Sequence, residues 1–202
     1  MDIDTATLSA DAAYKLLTGS IVPRPIAWVT TLSENGLVNA APFSAFTFVS
    51  NKPPMIGISI GRKQGKLKDT ARNILRTSEF VVNIATEALL EKLHQSADEY
   101  PEDISEIEEL AIETGSSQTI GIPRIASAPI CFECKLAQVI EFGDVGSKFF
   151  VGRIEMFRVR DDLIENGKIE TRRLQPIARL GGPNYASLGD VISLRPAKVS
   201  AT

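Results

Sequence analysis

Histidine is almost absent from this chain: His94 is the only one in 202 residues. A Ser/His/Asp triad would have to use it as the base. It falls in an amphipathic stretch over 87–97, where an ordinary surface role is expected. Cysteine is as scarce, with only Cys131 and Cys134. Two thiols and one imidazole disfavour a zinc site, and two thiols are too few for a secreted disulfide framework. The C-x-x-C spacing lies in Ile130–Leu136, which reads as a strand. There the two sulfurs fall on opposite faces, so a structural role is expected rather than a redox one. No G-x-G-x-x-G dinucleotide loop is present. Gly61-x-x-x-Gly65-Lys66-Leu67 resembles a P-loop but is one residue short, with Leu67 where the Mg²⁺ ligand belongs. No apolar run approaches the ~20 residues of a bilayer span. The acidic start, Met1-Asp2-Ile3-Asp4, is no signal peptide, so a cytoplasmic protein without membrane association is expected. Aromatics make up only 6% and the isoelectric point is near 5.3, which argues against a nucleic-acid partner. A chain so poor in acid–base groups, if it is an enzyme, takes its chemistry from a cofactor.

Charge is present but segregated. Residues 87–113 carry ten acidic side chains and one basic, Lys92, within a net charge of −3. The densest basic stretch is Arg62, Lys63, Lys66, Lys68, Arg72 and Arg76, opposed only by Asp69. A solvated surface and an anion site are both open readings of it. Lys66-Leu67-Lys68-Asp69-Thr70 joins a basic loop to a helix start. Free N–H groups, the positive dipole end and the lysines together make a phosphate cradle. Asp69 or Thr70 is expected to cap that helix, which runs to about Thr77.

The rest reads as short strands. Ser9 caps a helix over 10–18 that Gly19 ends. A strand at 26–31, the Asn35-Gly36 turn and a second strand from Leu37 form a hairpin. Pro42 marks a break, bulge or open edge in that second strand. Further strands are expected at 55–60, with Gly57 admitting a close approach, and at 79–84, 130–141 and 147–160. A last short one is expected near 190–194. Thr86 caps the amphipathic helix. Many strands, two or three helices and no βαβ alternation favour an antiparallel barrel or sandwich with helical insertions. One domain over 1–202 is the simplest organisation. The small residues of Asn39-Ala40-Ala41-Pro42-Phe43-Ser44 would let backbone approach a flat ring; a bulged edge strand is the other reading.

Several stretches, in order, carry a resemblance. They are Ile21–Thr31, Asn35-Gly36, Asn39–Ser44 with Phe46, Lys68-Asp69-Thr70 with Asn73, Glu79–Asn83, and Arg179-Leu180-Gly181-Gly182 with Tyr185. Together they resemble the flavin reductase-like, FMN-binding split-barrel family. The resemblance implies a mainly β fold with helical insertions: a six-stranded antiparallel split barrel of Greek-key type, usually a homodimer, with FMN at or near the subunit interface. By the same resemblance Asn39, Ala40, Ala41, Pro42, Ser44 and Phe46 would line the ring and ribityl chain. Arg62, Lys68 and Thr70 would hold the phosphate, with Asp69 in the cofactor-binding set as a helix cap that does not meet the phosphate, and Trp28, Arg179 and Tyr185 would lie near the ring. No side chain would be catalytic in its own right. The implied activity moves hydride or electrons from NAD(P)H through FMN to a flavin, quinone, ferric or protein acceptor. The alternatives are a flavoredoxin-type carrier reduced by a protein partner and a non-catalytic FMN-binding module.

Overall fold

The computed structural model describes residues 1–194. Seven strands form its main antiparallel sheet: β1 Ala27–Leu32, β2 Val38–Phe43, β3 Phe46–Asn51, β4 Pro54–Ile60, β5 Glu79–Ile84, β6 Ile130–Phe142 and β7 Ser147–Val159. Their order across the sheet is β2-β1-β5-β6-β7-β4-β3. The sheet curls until β2 comes against β4, enclosing one core between them. Ala27, Val29, Ile58, Ile74, Phe80, Val82, Cys134 and Phe150 fill it. A second core, with Ile26, Trp28, Ala40, Val81, Leu93, Ile107, Ile125 and Cys131, lies on the outer face. Segment 86–128 covers it. The two cysteines are free and belong to different cores, as their spacing required. Burial pushes the Cys131 thiol up to about 11 and raises Cys134 as well, so neither is a ready thiolate.

The sheet has one strand more than the six expected, because the stretch after Leu37 makes two. The chain bends after Phe43, not at Pro42. Ala40 N–H and Val38 C=O point away from β1 and bond to Glu106 and Ser105. Pro42 has the same parity in the ladder, so its missing N–H faces the open edge and costs no ladder bond. Gly57 admits the Phe149 ring: a Cβ there would sit 2.0 Å from it.

Helix α1 spans Ala10–Ser20, with Ser9 Oγ accepting from Ala12 N–H. It runs through Gly19 instead of ending there, because Ile21 N–H still bonds Leu17 C=O. Helix α2 spans Asp69–Thr77, and neither expected residue caps it. Lys68 is the N-cap and gives no side-chain bond. Asp69 is the first helical residue and pairs with Arg72, while Thr70 turns inward to Asn39. The stretch after Thr86 is a 3-10 turn, Glu87–Leu89, followed by α3, Leu90–Gln95, again without a side-chain cap. No strand forms at 190–194. The C-terminal pairing occurs earlier, where Ala178–Arg179 lies between Arg24–Pro25 and Tyr185–Ala186.

Candidate functional site

A cleft follows the outer edge of β2 and has two chambers, both lined by Pro42 and Ala97. Asn39, Ala41, Pro42 and Phe43 line the first chamber and Pro42 and Ser44 the second.

The first chamber, about 380 Å³, lies at the start of α2. Lys63 and Lys66 enter it from a short hairpin that pairs Arg62–Lys63 with Lys66–Leu67, and Lys68 from the helix N-cap. With no side-chain cap on α2, the N–H groups of its first turn stay available to an anion. The Lys68 ammonium lies 5.8 Å from the Phe43 ring centroid. Acids of 98–102 form the opposite wall: Glu99 pairs with Lys63 at 2.9 Å and Glu102 with Arg72 at 3.1 Å. Lys66 and Lys68 have no carboxylate within 4.0 Å among the described residues.

Beneath this chamber a hydrogen-bonded chain fixes the edge of β2. Glu106, 7% exposed, accepts from Asn39 Nδ2 at 2.7 Å and Ala40 N–H at 3.0 Å. Asn39 Oδ1 accepts from Thr70 Oγ1 at 3.0 Å, and Asn73 donates to Thr31 Oγ1. Burial raises the Glu106 carboxyl above the usual range, against the lowering effect of the bonds from Ala40 and Asn39. The acidic segment therefore closes an exposed sheet edge.

The second chamber, about 370 Å³, is built from α1, the Pro42–Ser44 bend, Leu93 and the 179–185 hairpin. Arg24 ties these parts together. Its guanidinium donates to Ser44 Oγ, to Thr18 and Ile21 carbonyls, and to Leu180 C=O. Gly181 lets the hairpin meet α1 closely: a Cβ there would lie 3.4 Å from Gly19 Cα. Arg179 stacks on Tyr185, 4.5 Å from its ring centroid, and donates to its hydroxyl and to Gly182 C=O. Tyr185 Oη lies 3.0 Å from His94 Nδ1.

The structure thus brings Asn39, Ala41, Pro42, Ser44, Lys68, Asp69, Thr70, Arg179 and Tyr185 to one cleft. It does not bring four other expected residues there. Trp28 is fully buried, its indole N–H bonded to Ser96 Oγ. The Ala40 side chain is core. Phe46 packs against the inner core. Arg62 bonds Gly146 and Gly65 carbonyls and faces Glu141. Thr70 is 1% exposed with its hydroxyl committed to Asn39, so its offer to an anion is the backbone N–H. Sequence reasoning missed Glu106 and the role of Arg24, whereas Lys63 and Lys66 already stand in the basic stretch for which an anion site is an open reading. Of the two missed residues only Arg24 carried a signal, the flanking prolines that fix its backbone. Gly57-Ile58-Ser59-Ile60-Gly61 spells a nucleophile elbow. It lies along β4, however, where Ser59 N–H bonds Ala45 C=O, and no strand-to-helix turn exposes the serine.

Comparison with known proteins agrees with this architecture. Component B of nitrilotriacetate monooxygenase from Bacillus cereus superposes with a TM-score of 0.93 at 38% identity, covering 96% of this chain and 98% of that one. The 2-nitrobenzoate 2-nitroreductase NbaA of Pseudomonas fluorescens gives 0.90 at 36%, covering 100% and 99%. A split-barrel-domain protein from Shewanella frigidimarina gives 0.86 at 19% over 98% and 100%, a likeness of fold alone. The "Flavin reductase like domain" model matches residues 18–176, and the chain belongs to the flavin reductase-like family.

Proposed function

We propose that this chain is an NAD(P)H-dependent oxidoreductase of one domain, 1–202, that holds FMN along the β2 cleft. One observation carries the reading. A single groove joins an uncapped, lysine-flanked helix start to a chamber walled by small, flat and cationic side chains. Lys66, Lys68 and the first N–H groups of α2 hold the phosphate. Ala41 and Pro42 leave the strand surface low enough for a ring to lie against it, and the Ser44 hydroxyl keeps a proton to donate to the ring's polar edge. Bound FMN supplies hydride acceptance and electron release. The protein's part is to anchor the tail, orient the ring and hold the field around it. The acceptor is a flavin, quinone, ferric complex or protein. Two free, buried thiols suit a reducing cytoplasm.

The reading extends to a homodimer. Helix α1 has no buried residue and leaves Tyr14, Leu16, Leu17 and Ile21 exposed beside the second chamber, a face that a second copy would cover. Sedimentation should give twice the chain mass, and Leu17→Glu should lower it.

The decisive experiment is anaerobic mixing of the FMN-loaded protein with NADH and with NADPH. Bleaching of the flavin by either, followed by reoxidation with an acceptor panel, is expected. No bleaching by both rejects the nicotinamide donor, and rapid reduction by a ferredoxin-type donor instead would identify an electron carrier.

A further inference from the structure

The second chamber carries positive charge that no carboxylate pairs directly among the described residues. Arg24 and Arg179 both line it, and its walls include no carboxylate. Neither guanidinium has an acidic partner within 4.0 Å among the described residues, whereas Lys63 and Arg72 of the first chamber both do. The two arginines are held by neutral groups only. Arg179 uses three of its N–H groups on Gly182 C=O and Tyr185 Oη, which leaves two of a guanidinium's five without a partner. Arg24 uses four, on Ser44, Thr18, Ile21 and Leu180, leaving one. Backbone carbonyls fix where these forks point without neutralising them. The other walls are flat or apolar: Tyr14, Pro42, Leu93 and Tyr185. The volume, about 370 Å³, is at the small end for small-molecule sites.

We propose that this chamber is an anion subsite for the carboxylate of a planar organic acid, gripped by Arg179 and faced by the field of Arg24. The few spare donors suit a monoanion held by one fork; a phosphate dianion is better served by the helix start and lysines of the other chamber. Tyr185 positions the fork, because its hydroxyl accepts from Arg179 and is itself placed by His94. The proposal rests on the reductase reading only in calling the acid a substrate; the binding stands without it.

His94 is the only histidine and touches Tyr185, so its ring proton resonances report on this cluster alone. Sodium benzoate is titrated into the protein at fixed ionic strength, with and without FMN, against benzamide as the uncharged control. Benzoate should move the His94 signal saturably in both forms, and benzamide should not. Arg179→Gln should weaken benzoate at least tenfold, and by more than it weakens FMN. Arg179→Lys, which keeps the charge and loses the fork, should fall between. A folded-state check by urea midpoint accompanies each variant. Equal response to benzamide, no saturable response, or an Arg179→Gln variant that binds benzoate normally overturns the proposal. So does competition of FMN with benzoate, or an equal or larger loss for FMN in Arg179→Gln, which would give the arginine fork to the cofactor's ring or phosphate. Benzoate binding in a protein that takes up no FMN would sink the reductase reading and leave this one standing.

Discussion

The two ends of the cleft share one edge strand but treat charge in opposite ways. At the α2 end, lysines and Arg72 face acids brought in by 98–106, and two pairs close directly. At the hairpin end two arginines are tied by carbonyls and hydroxyls, with no acid on the walls. Flexible lysines on a hairpin can exchange one counter-charge for another. Planar guanidinium forks pinned by main chain cannot swing away, and they hold a fixed positive field. On the proposed reading, the first end binds and releases an anionic tail, and the second keeps its field constant around whatever lies there.

The sharpest way to break this contrast is to remove the exchangeable cations. Lys66→Ala with Lys68→Ala should weaken FMN by about 3 kcal/mol, roughly a hundredfold in Kd, from two charge-assisted contacts. Fluorescence quenching on FMN titration measures it. A loss of less than fivefold would place the phosphate elsewhere. Next in size is the buried acid under the same chamber. Glu106→Ala strands the Asn39 amide and the Ala40 N–H, which should cost about 2 kcal/mol of stability, read as a lower urea midpoint at unchanged slope. An unchanged midpoint would mean that water or another group satisfies both donors.

These residues also show what the sequence could and could not disclose. The hairpin at Asn35-Gly36, an open edge as one of three readings of Pro42, and a helix start within residues 66–70 were legible because turn chemistry, a missing N–H and a charge step act locally; the capping residue itself was not. Glu106 was not. It stands in a run with Glu102, Glu108 and Glu109, chemically identical to them, and only the tertiary approach of Ser105 and Glu106 to the β2 edge singles it out. Trp28 failed for a related reason. It neighbours the cleft motifs in sequence, yet β1 lies between β2 and β5 and is covered on both faces, so its aromatic belongs to the core. Arg62 adjoins the basic loop but is drawn to the β6–β7 turn by Gly146 C=O. Proximity along the chain gave the cleft's neighbourhood, and side-chain direction decided its membership.

A subtler test uses pH. Burial raises the folded Glu106 carboxyl, so the native state keeps its proton at pH values where the unfolded chain, near 4.3, has lost it. Between those two values the native state binds more protons, and stability falls as pH rises. Glu133 acts oppositely. Burial pushes it up, but bonds from Thr119 and Gln118, with Arg124 nearby, prevail and lower it. Its contribution is lost only as pH drops below the ordinary carboxylate value. Glu133 contributes equally in the wild type and in a Glu106 variant, so the difference between their pH profiles isolates Glu106. Glu106→Gln should abolish that falling limb in urea midpoints taken from pH 4.5 to 7, and a variant that parallels the wild type would show the carboxyl to be charged throughout.

The smallest expected effect addresses exchange itself. If the acids of 98–102 stand in for a bound anion, neutralising them should tighten the anion's hold on the cations they vacate. Lys63–Glu99 and Arg72–Glu102 are open to solvent, with the acids 76% and 78% exposed. Such pairs contribute about 0–1 kcal/mol, so Glu99→Gln with Glu102→Gln should improve FMN affinity by only about two- to fivefold. The gain should shrink as salt is raised past ~0.3 M, where screening removes what the acids had contributed. Equal affinity at all salt concentrations would mean that those acids never compete for the chamber. Weaker affinity would mean that they hold Lys63 and Arg72 in place for the phosphate, which turns the stand-in into a brace. Only the sign of a small number separates these two roles, because both place the same charges in the same positions.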